Sequence, residues 1–130
     1  MSERLFTLEE ALATLPAAAR LLLEIQEWKQ ELEDRSANLE RLLNTTGGNG
    51  HLADDIAEAR SSVQSAGREL ERTFQEMDDL GVELKGIDNG LLDFPSLRDG
   101  RVVYLCWRQG EETIAFWHDV EAGFAGRQLL

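Results

Sequence analysis

A single cysteine, Cys106, occurs in 130 residues, so the chain can form no internal disulfide and nothing in it asks for an oxidising compartment. Only two prolines interrupt it, which leaves room for long uninterrupted helices. Basic residues are few, 13 against 25 acidic ones, and none form a block. At a net charge of -12 the chain offers no track for phosphates, which argues against nucleic acid and against an anionic membrane surface as partners. No apolar run approaches the length of a membrane span, and the opening MSERLFTLEE lacks the basic and apolar regions of a signal peptide. The expectation is one cytoplasmic domain over residues 1–130. Catalytic motifs are missing too. There is no CxxC, HxxxH or HExxH, no GxSxG elbow, no Walker loop and no GxGxxG.

What is present is helical first. Thr7 and Glu10 have the spacing of a capping box, so a helix should start there. Pro16 should stop or kink it and suit the first turn of a second helix, leaving a short N-terminal one. From Ala17 to about Leu43 the residues Leu21, Ile25, Trp28, Leu32, Leu39 and Leu42 are spaced alternately by four and three, with Arg35 in the remaining place. That is the seam of a coiled coil on a helix of about 40 Å. The stretch from Asn44 to Gly50 reads NTTGGNG and must turn. The seam resumes at Leu52, Ile56, Ala59, Val63, Ala66, Leu70, Thr73, Met77 and Leu80, and Gly81 is placed to cap it. Small residues at Ala59, Ala66 and Gly67 suggest close packing against that helix. Two matched seams joined by a short turn predict an antiparallel hairpin over 1–81.

After Gly81 the period changes to two. Short strands are expected at 82–85, 91–94, 101–107 and 113–117, with turns at 88–90, at Asp99–Gly100 and around Gly110. The fold class is therefore α+β: a long antiparallel helical hairpin with a short N-terminal helix, then a small antiparallel sheet of about four strands over 82–130.

Several segments together resemble one family. FTLEEA (6–11), GNGH (48–51), GLLDFP (90–95), DGRVVYLCW (99–107), Gly110–Glu111 and WHDVEAGFAGRQ (117–128) are similar to the small bacterial proteins of the DUF2203 family, a domain of unknown function. The resemblance spans almost the whole chain and implies no activity, cofactor or catalytic residue.

The segment from Leu91 to Arg127 gathers Cys106, His118, Trp107 and Trp117 with several arginines, and a site is expected there. Three chemistries compete. Arg101 and Arg127, with Arg98 and Arg108 nearby, could grip a carboxylate or phosphate between the Trp107 and Trp117 rings, beside His118 and Asp119; the loop GFAGR (123–127) could close over it. His51, Asp93, Cys106, His118 and Asp119 are capable ligands for zinc or iron. Cys106 could be a nucleophile with His118 as base, although burial inside a strand would make it inert.

Strand parity decides which groups meet. An odd loop at Gly110, such as three residues with Cys106 opposite Ile114, puts Cys106 and His118 on one face, whereas a two-residue loop puts Leu105 and Trp107 with His118 instead. The sequence leaves both registers open. The expectation is a binding or assembly module without a cofactor, taking a small anionic ligand or acidic peptide at Arg101, Trp107, Trp117, His118, Asp119 and Arg127. The alternative is a metal-dependent or His-assisted enzyme using His118 and Asp119 with Cys106 or Asp93. Leu22, Leu23, Leu43 and Phe74 lie off the seam and should face the sheet or a second subunit, predicting a homodimer.

Overall fold

The computed structural model describes residues 4–45 and 50–130. Two long helices, α1 (Leu8–Leu43) and α2 (Leu52–Leu80), precede five strands: β1 (Glu83–Gly86), β2 (Leu91–Arg98), β3 (Arg101–Arg108), β4 (Phe116–Asp119) and β5 (Gln128–Leu129). The fold is the expected α+β helical hairpin and antiparallel sheet. The chain divides into two compact units, one of residues 24–74 and one uniting 4–23 with 75–130. The boundary between them runs through both long helices.

In the helical unit, residues at the four-and-three spacing are the less exposed ones, with Ile25, Ala59, Ala66 and Thr73 buried. Thr73 tolerates burial because its hydroxyl donates to the carbonyls of Glu69 and Leu70 at 3.1 and 2.8 Å. Arg35, the polar member of the seam, donates from Nη1 to the Ser62 carbonyl at 3.0 Å and so ties α1 to α2. Gly67 is not a place of close packing: nothing lies within 4 Å of where its Cβ would stand. Of the turn read from Asn44 to Gly50, residues 46–49 lie outside the described residues.

In the second unit, the capping box forms as expected. The Glu10 amide donates to Thr7 Oγ1 at 3.0 Å and the Thr7 amide to Glu10 Oε1 at 2.9 Å, which holds the Glu10 carboxyl below the usual range. The separate short N-terminal helix does not form. Helix α1 runs unbroken through Pro16, which lies on the exposed side, where water can replace the amide bond that proline cannot make. Just before α1, Phe6 is buried, its amide donates to the Pro95 carbonyl at 2.6 Å, and its ring meets Phe94 edge-on at 5.3 Å. Helix α2 ends at Gly81 with φ 84°, the left-handed cap expected there.

The sheet is a meander in the order β1-β2-β3-β4-β5. Asp99 and Gly100, with φ 51° and 80°, form the tight turn that places Arg98 opposite Arg101. Gly90 has φ 65°, and a Cβ there would stand 2.5 Å from Gln109 Cβ, so only glycine lets the two strand ends close. Strand β4 begins at Phe116, later than the expected Thr113, because seven residues, 109–115, connect it to β3. The tail supplies the fifth strand, β5, which pairs Leu129 with Phe116 and Gln128 with Trp117.

Directly paired residues of an antiparallel sheet share a face, and alternate residues change face. The register therefore sorts every side chain of the sheet. One face carries Leu92, Phe94, Val103, Leu105, Trp107 and Trp117, all buried, which with Phe6, Ala11, Ala18, Leu22 and Met77 make the apolar core of this unit. The opposite face is chemically different. One row across it reads Glu83, Asp93, Cys106 and Phe116, and the next reads Pro95, Tyr104 and His118.

Candidate functional site

On this second face three buried polar side chains from three adjacent strands converge. Asp93 of β2 stands directly opposite Cys106 of β3, and His118 of β4 stands opposite Tyr104, one diagonal step from Cys106. Each of the three is only 2% exposed, and one ligand-capable atom from each lies within 4.8 Å of the others. The Cys106–His118 juxtaposition follows from an odd connection, as the sequence required for it, but with seven residues instead of three and with Cys106 opposite Phe116, not Ile114.

The hydrogen bonds assign the protons. His118 Nδ1 lies 2.8 Å from the Asp119 carbonyl oxygen, an acceptor only, so Nδ1 carries a hydrogen and donates. His118 Nε2 lies 3.1 and 3.0 Å from the two Asp93 carboxyl oxygens. One proton is therefore held between Nε2 and Asp93. Burial pushes the Asp93 carboxyl above its usual range, against the opposing pull of the His118 charge and hydrogen bond and of the Cys106 thiol. The Cys106 thiol is pushed up to about 12, first by burial and then by the neighbouring Asp93 charge, with Arg127 pulling the other way.

A cavity of about 280 Å³ opens above the cluster. Asp93, Cys106 and His118 form part of its lining, together with Lys85, Leu91 and the segment after β4 that includes Glu121 and Phe124. That segment is pinned from behind. Arg127 donates from Nη2 to both Glu111 carboxylate oxygens at 2.8 and 2.7 Å, and its guanidinium stacks 3.9 Å from the Phe116 ring centre and 4.5 Å from that of Phe124. Glu111 is itself fixed by the Arg108 amide at 2.7 Å and, through its carbonyl, by the Trp107 indole at 3.0 Å. Beside the cluster, Tyr104 tilts against His118 at 5.5 Å and donates its hydroxyl to Glu83 at 3.0 Å, while Lys85 pairs with Glu83 at 2.9 Å.

The residues expected from sequence divide between the two faces. Trp107 and Trp117 point into the core face, and Arg101 and Asp119 share that face, where they pair with each other at 2.9 Å. Arg98 and Arg101 both lie over the Trp117 ring, at 4.5 and 5.8 Å. His118 faces the other way, so Arg101, Trp107, Trp117, His118, Asp119 and Arg127 do not surround a shared hollow. Residues 117 to 119 are consecutive in one strand, and consecutive residues must alternate. Of the metal-ligand candidates, Asp93, Cys106 and His118 meet, while Asp119 is turned away toward Arg101. His51 belongs to the helical unit, where its carbonyl accepts from the Asp55 amide at the start of α2. The GFAGR loop does contribute Gly123 and Phe124 to the cavity.

Glu83, Lys85, Leu91 and Tyr104 were not among the expected site residues. The signal for Tyr104 was available, since it has the same parity as Cys106 in one strand. Glu83 and Lys85 come beside the cluster only through the pairing of β1 with β2, which sets Glu83 opposite Asp93 and shifts register between Leu84 and Gly86.

Among the described residues, no helix is long and apolar enough to cross a membrane. No curated protein and no solved structure matches the chain. A family model described as an uncharacterized conserved protein, DUF2203, matches residues 4–130, and by that match over nearly its whole length the chain belongs to the DUF2203 family.

Proposed function

We propose that this chain binds a small molecule in the cavity over the outer sheet face and that the proton shared by His118 Nε2 and Asp93 at its floor is the one available for transfer. The observation that carries the reading is the burial of Asp93, Cys106 and His118 together at a cavity floor. Sequestering a carboxyl and an imidazole from water costs free energy that apolar side chains of similar volume would not, so such a pair is an expense for a merely structural sheet. At about 280 Å³ the cavity lies just below the usual span of ligand pockets, roughly 300–1,000 Å³. The occupant is accordingly a small polar compound, met by Lys85 and Glu121 at the rim and by Leu91, Val120 and Phe124 on the walls. This favours the His-assisted alternative over an anion site built on arginines, since Arg101 and Arg127 are both committed to carboxylates of the chain.

Screening a set of small polar compounds against the isotope-labelled full chain by NMR tests the reading. Binders are expected to perturb His118, Lys85 and Phe124 together, and Phe124→Ala should weaken them at least tenfold. Binders that collect instead in the apolar groove beside Phe6, Leu97 and Leu130, or a set with none at all, would remove the proposal.

A second reading, assembly, is favoured by a different observation. Leu22 is buried as expected, but Leu43 and Phe74 of the helical unit stay 48% and 37% exposed, and Leu23 of α1 is exposed as well. A two-fold contact that covers such residues, with coiled-coil geometry extended across subunits, makes the chain a homodimer. Light scattering behind gel filtration should return twice the chain mass at micromolar concentration, and a clean monomer ends this reading. The free thiol of Cys106 fits residence in the reducing cytoplasm.

A further inference from the structure

We infer that Asp93, Cys106 and His118 together bind one divalent ion of borderline softness, zinc or ferrous iron, with the cavity supplying its open coordination position. The inference deepens the small-molecule reading and rests on the same cavity, but it predicts a binding event that no small molecule is needed to observe.

Four features carry it. The donors are one sulfur, one nitrogen and one oxygen, the mixed set that zinc and iron accept and that magnesium or calcium does not prefer. Their spacing is nearly that of a filled site. Bonds of about 2.0–2.3 Å in a tetrahedron separate ligand atoms by about 3.3–3.8 Å. Nε2 and Asp93 are already 3.0 Å apart, and the widest separation in the group, up to 4.8 Å, has to close by about 1 Å. His118 is also oriented from behind: its Nδ1 hydrogen is spent on the Asp119 carbonyl at 2.8 Å, which leaves Nε2, already facing the Asp93 carboxyl, as the nitrogen available for the ion. Finally, the charges cancel. A thiolate and a carboxylate neutralise a divalent ion, so the loaded site suits the burial that an isolated charge would not tolerate.

Among the described residues three protein donors meet here, and the fourth side gives onto the cavity lined by Leu91 and Phe124. Closed structural sites use four protein ligands, whereas three with an open side leave room for water or a small molecule on the ion. The proton balance is explicit. The ion enters as the Cys106 thiol loses its proton and the proton between His118 Nε2 and Asp93 departs; the Nδ1 hydrogen stays, so each ion bound releases two protons to solvent.

The test uses the full chain, purified without a histidine tag and stripped with a chelator, titrated with cobalt(II) as a spectroscopic stand-in and then with zinc. Expected are one cobalt per chain, an intense thiolate-to-cobalt charge-transfer band, release of about two protons per ion, and displacement of the cobalt by zinc. Cys106→Ser should abolish the band, and His118→Gln should weaken binding at least tenfold. His51→Ala should change neither. Because the titration of the unaltered protein needs no variant, a variant that fails to fold does not protect the inference. A wild-type chain that shows no charge-transfer band overturns it, and so does a band that survives Cys106→Ser in a folded protein. If no ion binds while small compounds still perturb His118, the metal site is lost and the small-molecule reading stands. An ion held by the three residues with no compound entering the cavity gives the reverse.

Discussion

In the metal-free folded protein at pH 8, the Cys106 thiol should react with a water-soluble disulfide reagent about a thousand times more slowly than it does once the chain is unfolded in guanidinium. Only the thiolate attacks, and its fraction is set by the distance of the pH from the thiol's pKa. From an ordinary value of 9.0 the folded protein raises Cys106 to about 12, so at pH 8 about one chain in ten thousand is ionised instead of about one in ten. The cause is physical and local. The sulfur is buried in β3, and the Asp93 carboxyl opposite it repels a second negative charge, more than Arg127 compensates. The same shift has a consequence for stability. A group that binds its proton more tightly in the folded state contributes stability that is fully present below the unfolded value and is lost as pH rises through the folded one; Cys106 should therefore erode stability between about pH 9 and 12. A folded-state reaction rate within tenfold of the unfolded one would show the thiol to be exposed and ionisable. It would also revive Cys106 as a nucleophile, which burial now argues against.

Removing the Asp93 carboxyl should be the most damaging single change to the outer sheet face. Asp93→Ala leaves His118 Nε2 buried without its partner, and stranding one member of a buried pair costs about 3–5 kcal/mol. For a chain of this size that lowers the melting temperature by about 10 °C or more. Asp93→Asn should cost clearly less, because the amide nitrogen can donate to Nε2 while Nδ1 keeps its bond to the Asp119 carbonyl. Calorimetry on the two variants separates the causes. Equal losses would mean that the pair matters through packing and not through its proton, and a loss under about 1 kcal/mol for Asp93→Ala would mean that His118 finds another partner. Arg101→Ala provides a comparison, since its bridge to Asp119 is half-exposed and worth little, about 0–1 kcal/mol.

Much of the fold could be read from local chemistry. Thr7 and Glu10 cap α1 because their spacing alone lets each satisfy the other's amide, and Gly81 ends α2 because a left-handed residue without a Cβ costs least there. The Asp99–Gly100 turn follows for the same reason. Pro16 misled because a proline's effect depends on which side of the helix it occupies, and that side is set by what packs against the helix. The tail strand β5 was hidden because two residues carry no alternation; only its pairing with β4 makes it a strand.

Residue types and their periods by themselves determined that this chain would be a helical hairpin followed by a small antiparallel sheet, and the family resemblance was already legible along almost its whole length. Tertiary structure alone decided which chemistry meets. The side-chain period of a strand is two, so the parity of one connection, 109–115, governs whether Cys106 and Asp93 join His118 or whether Trp107 and Leu105 do. Loop length is not encoded in any strand's own pattern, because a connection is settled by the packing of both faces at once. Here that packing sends the tryptophans inward and leaves the imidazole, carboxyl and thiol together on the other side.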